Sequence, residues 1–326
     1  MKESEKRNMI MYSTSFFYDI KVSPKNNSVE EYEKLAKMML PAITQCLPDP
    51  YKNNGLEINK VNKINGQVLI GIRLKDIPIG PQVYVNDFCD KIYSAKSIKE
   101  CDEIVQSIAA LLVPDKAMDM PFDVCNYNEV KKYISIKMCD PRSNEDYLKD
   151  KIVGYWKAYA YYCVIYFHPP YDNTTGTVTI TSNLFNCWGI SKEQLLSDAL
   201  ANVDAEKPIL IDSLSAILME DYSKYNLLDN SMEPNSPMMI LTVTDHTYGA
   251  RIVLKNGLIE EILNYLGTGF TLLPASVHEF IIVPDYVGMP QEMLLSLVSK
   301  VNRSGVSAND YLSDTIVHIS NDGSTN

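Results

Sequence analysis

The stretch TLLPASVHEFIIVPD, Thr271–Asp285, constrains the fold more than any other: two short apolar runs flank a compact polar insert, Pro274–Glu279. Each run is brief, rich in β-branched residues and bounded by proline, which favours two buried strands joined by a tight turn over one long helix. Ser276, His278 and Glu279 then fall at a strand boundary, the densest group of chemically capable side chains in the chain. They are the first candidates for a mechanism.

Around this hairpin the chain alternates between helical and extended patterns. Ser28 followed by Glu31 has the spacing of a capping box, and Leu35, Met38, Met39 and Ile43 continue at helical period until Pro48. Leu56–Leu74 predicts a hairpin turning at Asn65-Gly66, because Asn-Gly accepts the positive φ angles of a two-residue turn. Ile77–Tyr84 reads as extended past Pro78 and Pro81, and helices are expected over about 82–93, 97–113 and 127–138. The polar segment PRSNEDYLKD, 141–150, marks a domain boundary; beyond it Trp156–Phe167 and Gly176–Ser182 read as strands with a hairpin loop at 169–175.

Ser191 caps a further helix, Pro208 opens another through Met219, and Asp221–Pro237 reads as a loop. Met238–Thr244 is a strand, Asn256–Leu266 a helix ended by Gly267, Pro290–Asn302 a helix and Thr315–Ile319 a last strand. The expected class is α+β. A polar tail (1–28) precedes a smaller N-terminal region of hairpin and helices (29–140); a C-terminal domain (151–320) carries a mostly antiparallel sheet with helices on one face; residues 321–326 form a polar tail.

Composition narrows the function classes. The formal net charge is -11, from 41 acidic against 30 basic residues, so direct nucleic-acid binding is not expected, since phosphates need compensating Lys and Arg. The seven cysteines are an odd number, scattered and without a C-x-x-C, which fits reduced thiols in a cytoplasm better than a disulfide framework or a zinc site. The first residues lack the apolar region of a signal peptide, and no apolar run reaches the roughly 20 residues of a membrane helix. A cytoplasmic protein without membrane contact, metal or cofactor is the expectation, with oligomeric state left open.

Several phrases read together: VNKINGQVLIGI near residue 61, PQVYVNDF near 81, ITSNLFNCWGISKEQLLSDALAN from 180, YGARIVL from 248, LPASVHEFIIVPD from 273 and VNRSGVSANDYLSDTIVHI from 301. In this order and spacing the chain resembles an uncharacterised bacterial family, domain-of-unknown-function family fifty-six eighty-eight, over roughly residues 30 to 320. Ala275 stands where that family's phrase carries a serine, which removes a hydroxyl from the candidate turn. The resemblance implies a mobile-element or phage setting and no assigned reaction.

The candidate residues point to chemistry unequally. His278-Glu279 lacks the second histidine of a helical H-E-x-x-H, position 282 being Ile, so a metalloprotease is excluded. Ser276 and His278 invite a nucleophile and its base, but no G-x-S-x-G elbow accompanies them. In Tyr248-Gly249-Ala250-Arg251, the bland expectation is that Gly249 supplies a positive φ and Arg251 is solvated; the sharper one is that Arg251 is presented to an anionic ligand. No phosphate-binding glycine loop is present.

The expected function is therefore a non-enzymatic binding or regulatory protein acting through contact with a protein partner. One version makes its acidic surface an inhibitor of a host-defence or DNA-binding factor. The alternative is a hydrolase using a pocket at His278 and Glu279.

Overall fold

The computed structural model describes residue 20 and residues 27–77, 80–113, 122–168, 176–213, 225–230 and 236–324. Almost all of the expected tail 1–28, the loop 169–175, the helix expected beyond Ser213 and most of the loop 221–237 lie outside the described residues.

The chain divides into two compact units. The first holds the described residues up to Lys63 and from Gln67 to Val113; the second holds Ile64–Gly66 and the described residues from Phe122 onward. The division falls upstream of the 141–150 segment. The reason is β4 (Ile134–Cys139), which is paired antiparallel along its whole length with β6 (Tyr159–Phe167) and so cannot be assigned with the N-terminal region.

In the first unit, helix α1 (Val29–Cys46) begins as expected, with Ser28 accepting the Glu31 N–H at its side-chain oxygen. Strands β1 (Leu56–Asn62) and β2 (Val68–Leu74) form the Asn-Gly hairpin, with Asn65 at φ 61° and Gly66 at φ 69°. Their turn is longer than two residues, since Ile64–Gly66 make a 3-10 turn closed by the Lys63 N–H on Gln67 O. The end of the extended stretch expected over Ile77–Tyr84 is a strand, β3 (Gln82–Tyr84), paired with β2, and of the helix expected over 82–93 only Cys89–Ser94 is α-helical. Helix α2 (Ile98–Leu112) buries Cys101, Val105, Ile108 and Leu112, the face its spacing specified.

The second unit is α+β with antiparallel sheets, as expected, and its strands divide between two sheets. One joins β4, β5 (Val153–Trp156), β6 and β7 (Gly176–Thr179). Trp156–Phe167 is not one strand: Lys157 adopts φ 54° and turns β5 back onto β6. The helix expected at 127–138 stops at Tyr133, because Ile134, Ile136 and Met138 alternate onto the core as a strand does. β6 is buried on both faces, Tyr159, Tyr161, Cys163 and Ile165 on one and Ala160, Tyr162 and Val164 on the other. The crowded tyrosines therefore serve packing, and the Tyr159 hydroxyl donates to Thr315 O at 2.5 Å.

The second sheet has the order β12 (Val317–Ile319), β10 (Phe270–Ser276), β11 (Glu279–Pro284), β9 (Met239–Val243), β8 (Pro208–Asp212). Pro208–Asp212 is thus a strand rather than a helix opening; its Ile209 and Ile211 face one way and Leu210 the other, and all are buried. Helices α3 (Ser182–Trp188) and α4 (Lys192–Asp204) start on Thr181 and Ser191 caps, and α5 (Leu258–Leu266) ends at Gly267 as expected. α6 (Gln291–Gly305) lays Leu294 and Val298 on the outer face of β10 and β11, against Leu273 and Val283. The inner face, with Phe270, Leu272, Phe280 and Ile282, shares one core with Tyr159, Tyr161 and Ile165 of β6.

Candidate functional site

The late hairpin forms as its sequence requires. Ser276 pairs with Glu279, so Val277 and His278 are the two turn residues, and an irregularity between Pro274 and Ser276 leaves Ala275 as a bulge. Pro274 is tolerated inside β10 because β12 pairs only with Phe270–Leu272, and a missing N–H beyond that point breaks no ladder bond.

The polar groups of Ser276 and His278 are engaged. The Ser276 hydroxyl accepts the His278 backbone N–H at 3.0 Å, and the ring Nδ1 of His278 accepts the Tyr248 N–H at 3.0 Å. Its Nε2 lies 3.3 Å from Asp310 Oδ1, and its carbonyl accepts the Thr242 hydroxyl at 2.8 Å. With Nδ1 accepting, Nε2 carries the proton and donates to Asp310. Ser276 and His278 therefore do not form a nucleophile and base; serine holds the turn and histidine bridges it to two other segments. Burial pushes the Glu279 carboxyl above its ordinary 4.5, against the pull of the His278 and His246 rings.

The same contacts draw in the Tyr248–Arg251 turn, and here both halves of the bland expectation fail. The positive φ belongs to Tyr248, at 52°, and Gly249 is needed for a different reason. A Cβ at Gly249 would stand 2.3 Å from Thr242 Oγ1 and 2.5 Å from His278 O, so only glycine lets the two segments approach. Arg251 is buried, 4 % exposed, not solvated. Its Nε donates to Glu206 Oε1 at 2.9 Å, its Nη2 lies 2.8 Å from Glu206 Oε2 as an ion pair, and its Nη1 donates to Thr247 O at 2.6 Å. Burial pushes the Glu206 carboxyl above its ordinary value, and the guanidinium partly offsets this.

An aromatic relay links the two turns. The Tyr248 ring stacks on His278 at 5.3 Å and 21°, carries the Lys137 ammonium 3.7 Å from its centroid and meets Tyr166 edge-on at 6.3 Å. Arg251 lies 5.6 Å over the Tyr166 ring, and the Tyr166 hydroxyl donates to Asp245 Oδ2 at 2.6 Å.

On this relay sits a cleft of about 440 Å³ at the ends of β4, β6 and β9, walled by Lys132, Tyr166, Asn202, Glu206, Asp245 and Arg251. Lys207 also lines it and is paired with Asp229 at 2.5 Å. The Lys132 ammonium lies 4.9 Å over the Tyr133 ring. The size is that of a small-molecule site. Of the residues singled out by sequence, Arg251 reaches the cleft wall; Tyr248 supports it from behind through Tyr166, and Ser276, His278 and Glu279 are not among the lining residues. Lys132, Asn202, Glu206 and Asp245 carry no motif. They come from three separate segments, the Lys131–Tyr133 turn, the end of α4 with the turn after it, and the turn after β9, which strand pairing and the Asn202 amide on Lys131 O and Ile134 O bring to one rim.

Among the described residues no group of three or more His, Cys, Asp or Glu is placed to hold a metal ion, and no helix is long and apolar enough to cross a membrane. No curated protein and no solved structure matches the chain. A family model described as a family of unknown function does match, over residues 32–320, and the chain accordingly belongs to that family, DUF5688.

Proposed function

We propose that the protein is a non-enzymatic binding protein that holds a small molecule bearing a carboxylate or phosphate in the cleft over Arg251. The observation that carries this reading is local charge: in a chain of net charge -11, the cleft is lined by Lys132, Lys207 and Arg251 against Glu206 and Asp245. Lys207 and Arg251 already have carboxylate partners, whereas Lys132 rests on an aromatic face from which it can swing to an incoming anion. Tyr166 and Asn202 add an aromatic wall and an amide. The test is calorimetry of the full chain with inorganic phosphate, nucleoside mono- and diphosphates and dicarboxylates. At least one should bind, and Lys132→Met should weaken it about tenfold, as loss of a charge-assisted hydrogen bond does. No binding across the panel, or equal affinity in the variant, sinks the reading.

A regulatory contact with a protein partner, in the mobile-element or phage setting that the family resemblance implies, is the second reading. It is favoured by Tyr286, Met293, Leu295 and Val301, large apolar side chains left exposed on α6 and the turn before it. Met293→Lys with Val301→Lys should abolish retention of a partner that the intact chain captures, with the melting midpoint unchanged. Undiminished retention removes it.

A further inference from the structure

Five charged side chains line the cleft over Arg251, and three of them are already spent on ion pairs. Arg251 and Glu206 face each other at 2.8 Å, and Lys207 is held by Asp229 at 2.5 Å. One ammonium and one carboxylate remain. Lys132 rests on the Tyr133 ring, 4.9 Å from its centroid, and makes no ion pair among the described residues. Asp245 has neutral donors only: its Oδ1 accepts the Thr247 N–H at 3.1 Å and its Oδ2 accepts the Tyr166 hydroxyl at 2.6 Å. Each of its oxygens keeps a second lone pair, and no basic side chain among the described residues answers its charge.

The neutral groups of the cleft add acceptors. The Asn202 amide nitrogen donates to Lys131 O at 2.9 Å and to Ile134 O at 2.8 Å. Two carbonyl partners fix which way the amide lies and leave its Oδ1, an acceptor only, as what Asn202 can offer a ligand. Ser135 lines the same cleft, is 7 % exposed, and its hydroxyl has no hydrogen-bond partner among the described residues. A buried hydroxyl left without a partner carries a desolvation cost that a ligand atom would relieve.

We infer, resting on the anion-binding reading of the cleft, that its ligand is a zwitterion: an amine-bearing carboxylate or phosphate whose anion goes to Lys132 and whose ammonium goes to Asp245. An ammonium brings three N–H donors, and Asp245, Asn202 Oδ1 and the Ser135 hydroxyl are three acceptors of the cleft. A ligand with negative charge alone meets Lys132 equally well but sets its charge against Asp245 and leaves Asn202 Oδ1 and Ser135 without a cationic donor. Hydrogen bonds between two charged groups are about twice as strong as neutral ones, so the amine should decide affinity among otherwise equal anions.

The experiment is calorimetry of the full chain at pH ~7 with matched compounds that differ only in the amine: aspartate against succinate, glutamate against glutarate, and phosphoethanolamine against ethyl phosphate. In at least one pair the amine-bearing member should bind about tenfold more tightly, and whether that pair is carboxylate or phosphate names the anion. Asp245→Asn should erase the preference without weakening the amine-free member, and Lys132→Met should weaken both members alike. Equal affinity within every pair overturns the zwitterion and leaves the anion site standing, as does binding confined to amine-free anions such as inorganic phosphate, nucleotides or succinate. A preference for the amine that survives in Asp245→Asn overturns the place given to the ammonium. No binding by any of these compounds, phosphate and nucleotides included, defeats the anion reading and the zwitterion with it.

Discussion

In the first unit, α1 and α2 press Leu35, Met39, Ile43, Val105 and Ile108 onto Ile70 and Ile72 of β2, and among its described residues the one buried charged side chain is Glu31, at the start of α1. In the second, Asp140, Asn144, Asp198, Asp212, Asn226, Arg251 and Ser313 are all buried within an equally apolar frame. Both units are antiparallel strands covered by helices, so architecture does not explain the contrast. A core held by apolar area accepts many side chains of similar volume, whereas a buried polar group is tolerable only with its particular partner in place. The second unit has therefore committed its interior to specific pairings. Its cleft is one product: Arg251 is held at the wall by Glu206 and Thr247 rather than by packing alone.

The sharpest way to break this contrast is to remove one partner of the buried pair. Arg251→Met leaves Glu206 without its guanidinium and should cost about 3–5 kcal/mol in urea unfolding. Trp156 and Trp188, the only two tryptophans, both lie in the second unit and make fluorescence the probe. Adding Glu206→Gln should return part of the loss, since the orphaned charge goes with it. A loss below about 1 kcal/mol for the single variant would show that the pair does not hold the wall.

A smaller effect is expected at Asp140, whose carboxylate accepts the Arg142 N–H, Nε and Nη2 and the Ser313 hydroxyl, at 2.7 to 3.1 Å. Burial raises this carboxyl, but these donors more than offset it and hold it below its ordinary 3.8. A depressed carboxyl contributes stability that is fully present above its unfolded value and is lost as pH falls through the folded one. Asp140→Asn should thus cost about 2 kcal/mol at pH 7 and flatten the acid limb of the stability profile. In the first unit Ile72→Val should cost about 1 kcal/mol and leave the shape of that profile unchanged. Equal pH profiles for the two variants would erase the contrast between the units.

The smallest expected effect has the opposite sign. The Glu279 carboxyl is raised by burial, so the folded state holds its proton longer than the unfolded chain, and stability falls as pH rises from 4.5 through the raised value. Glu279→Gln removes that decline and should be the more stable protein at pH 7, by less than about 1 kcal/mol. A variant less stable than wild type at pH 7 would mean that the carboxylate has a partner which burial alone does not reveal.

How far the sequence reached depends on whether the deciding interaction is local. The cap at Ser28, the Asn65-Gly66 turn, the apolar face of α2 and the hairpin around Val277-His278 were all legible, because each is set within a few residues. Ile134–Cys139 and Pro208–Asp212 were read as helical because short apolar runs look alike at either period; pairing with β6 and β9 decided them. The cleft was legible only through Arg251.

By itself the sequence determined family, class and local turns: the alternation of apolar residues, the prolines and the capping residues act over one or two turns of chain and need no distant partner. The tertiary structure alone decided that Arg251 is buried on Glu206 and that His278 is held between Tyr248 and Asp310. Those outcomes hinge on groups many residues apart, whose meeting is set by strand order and register, and neither quantity is written in the spacing of any one segment.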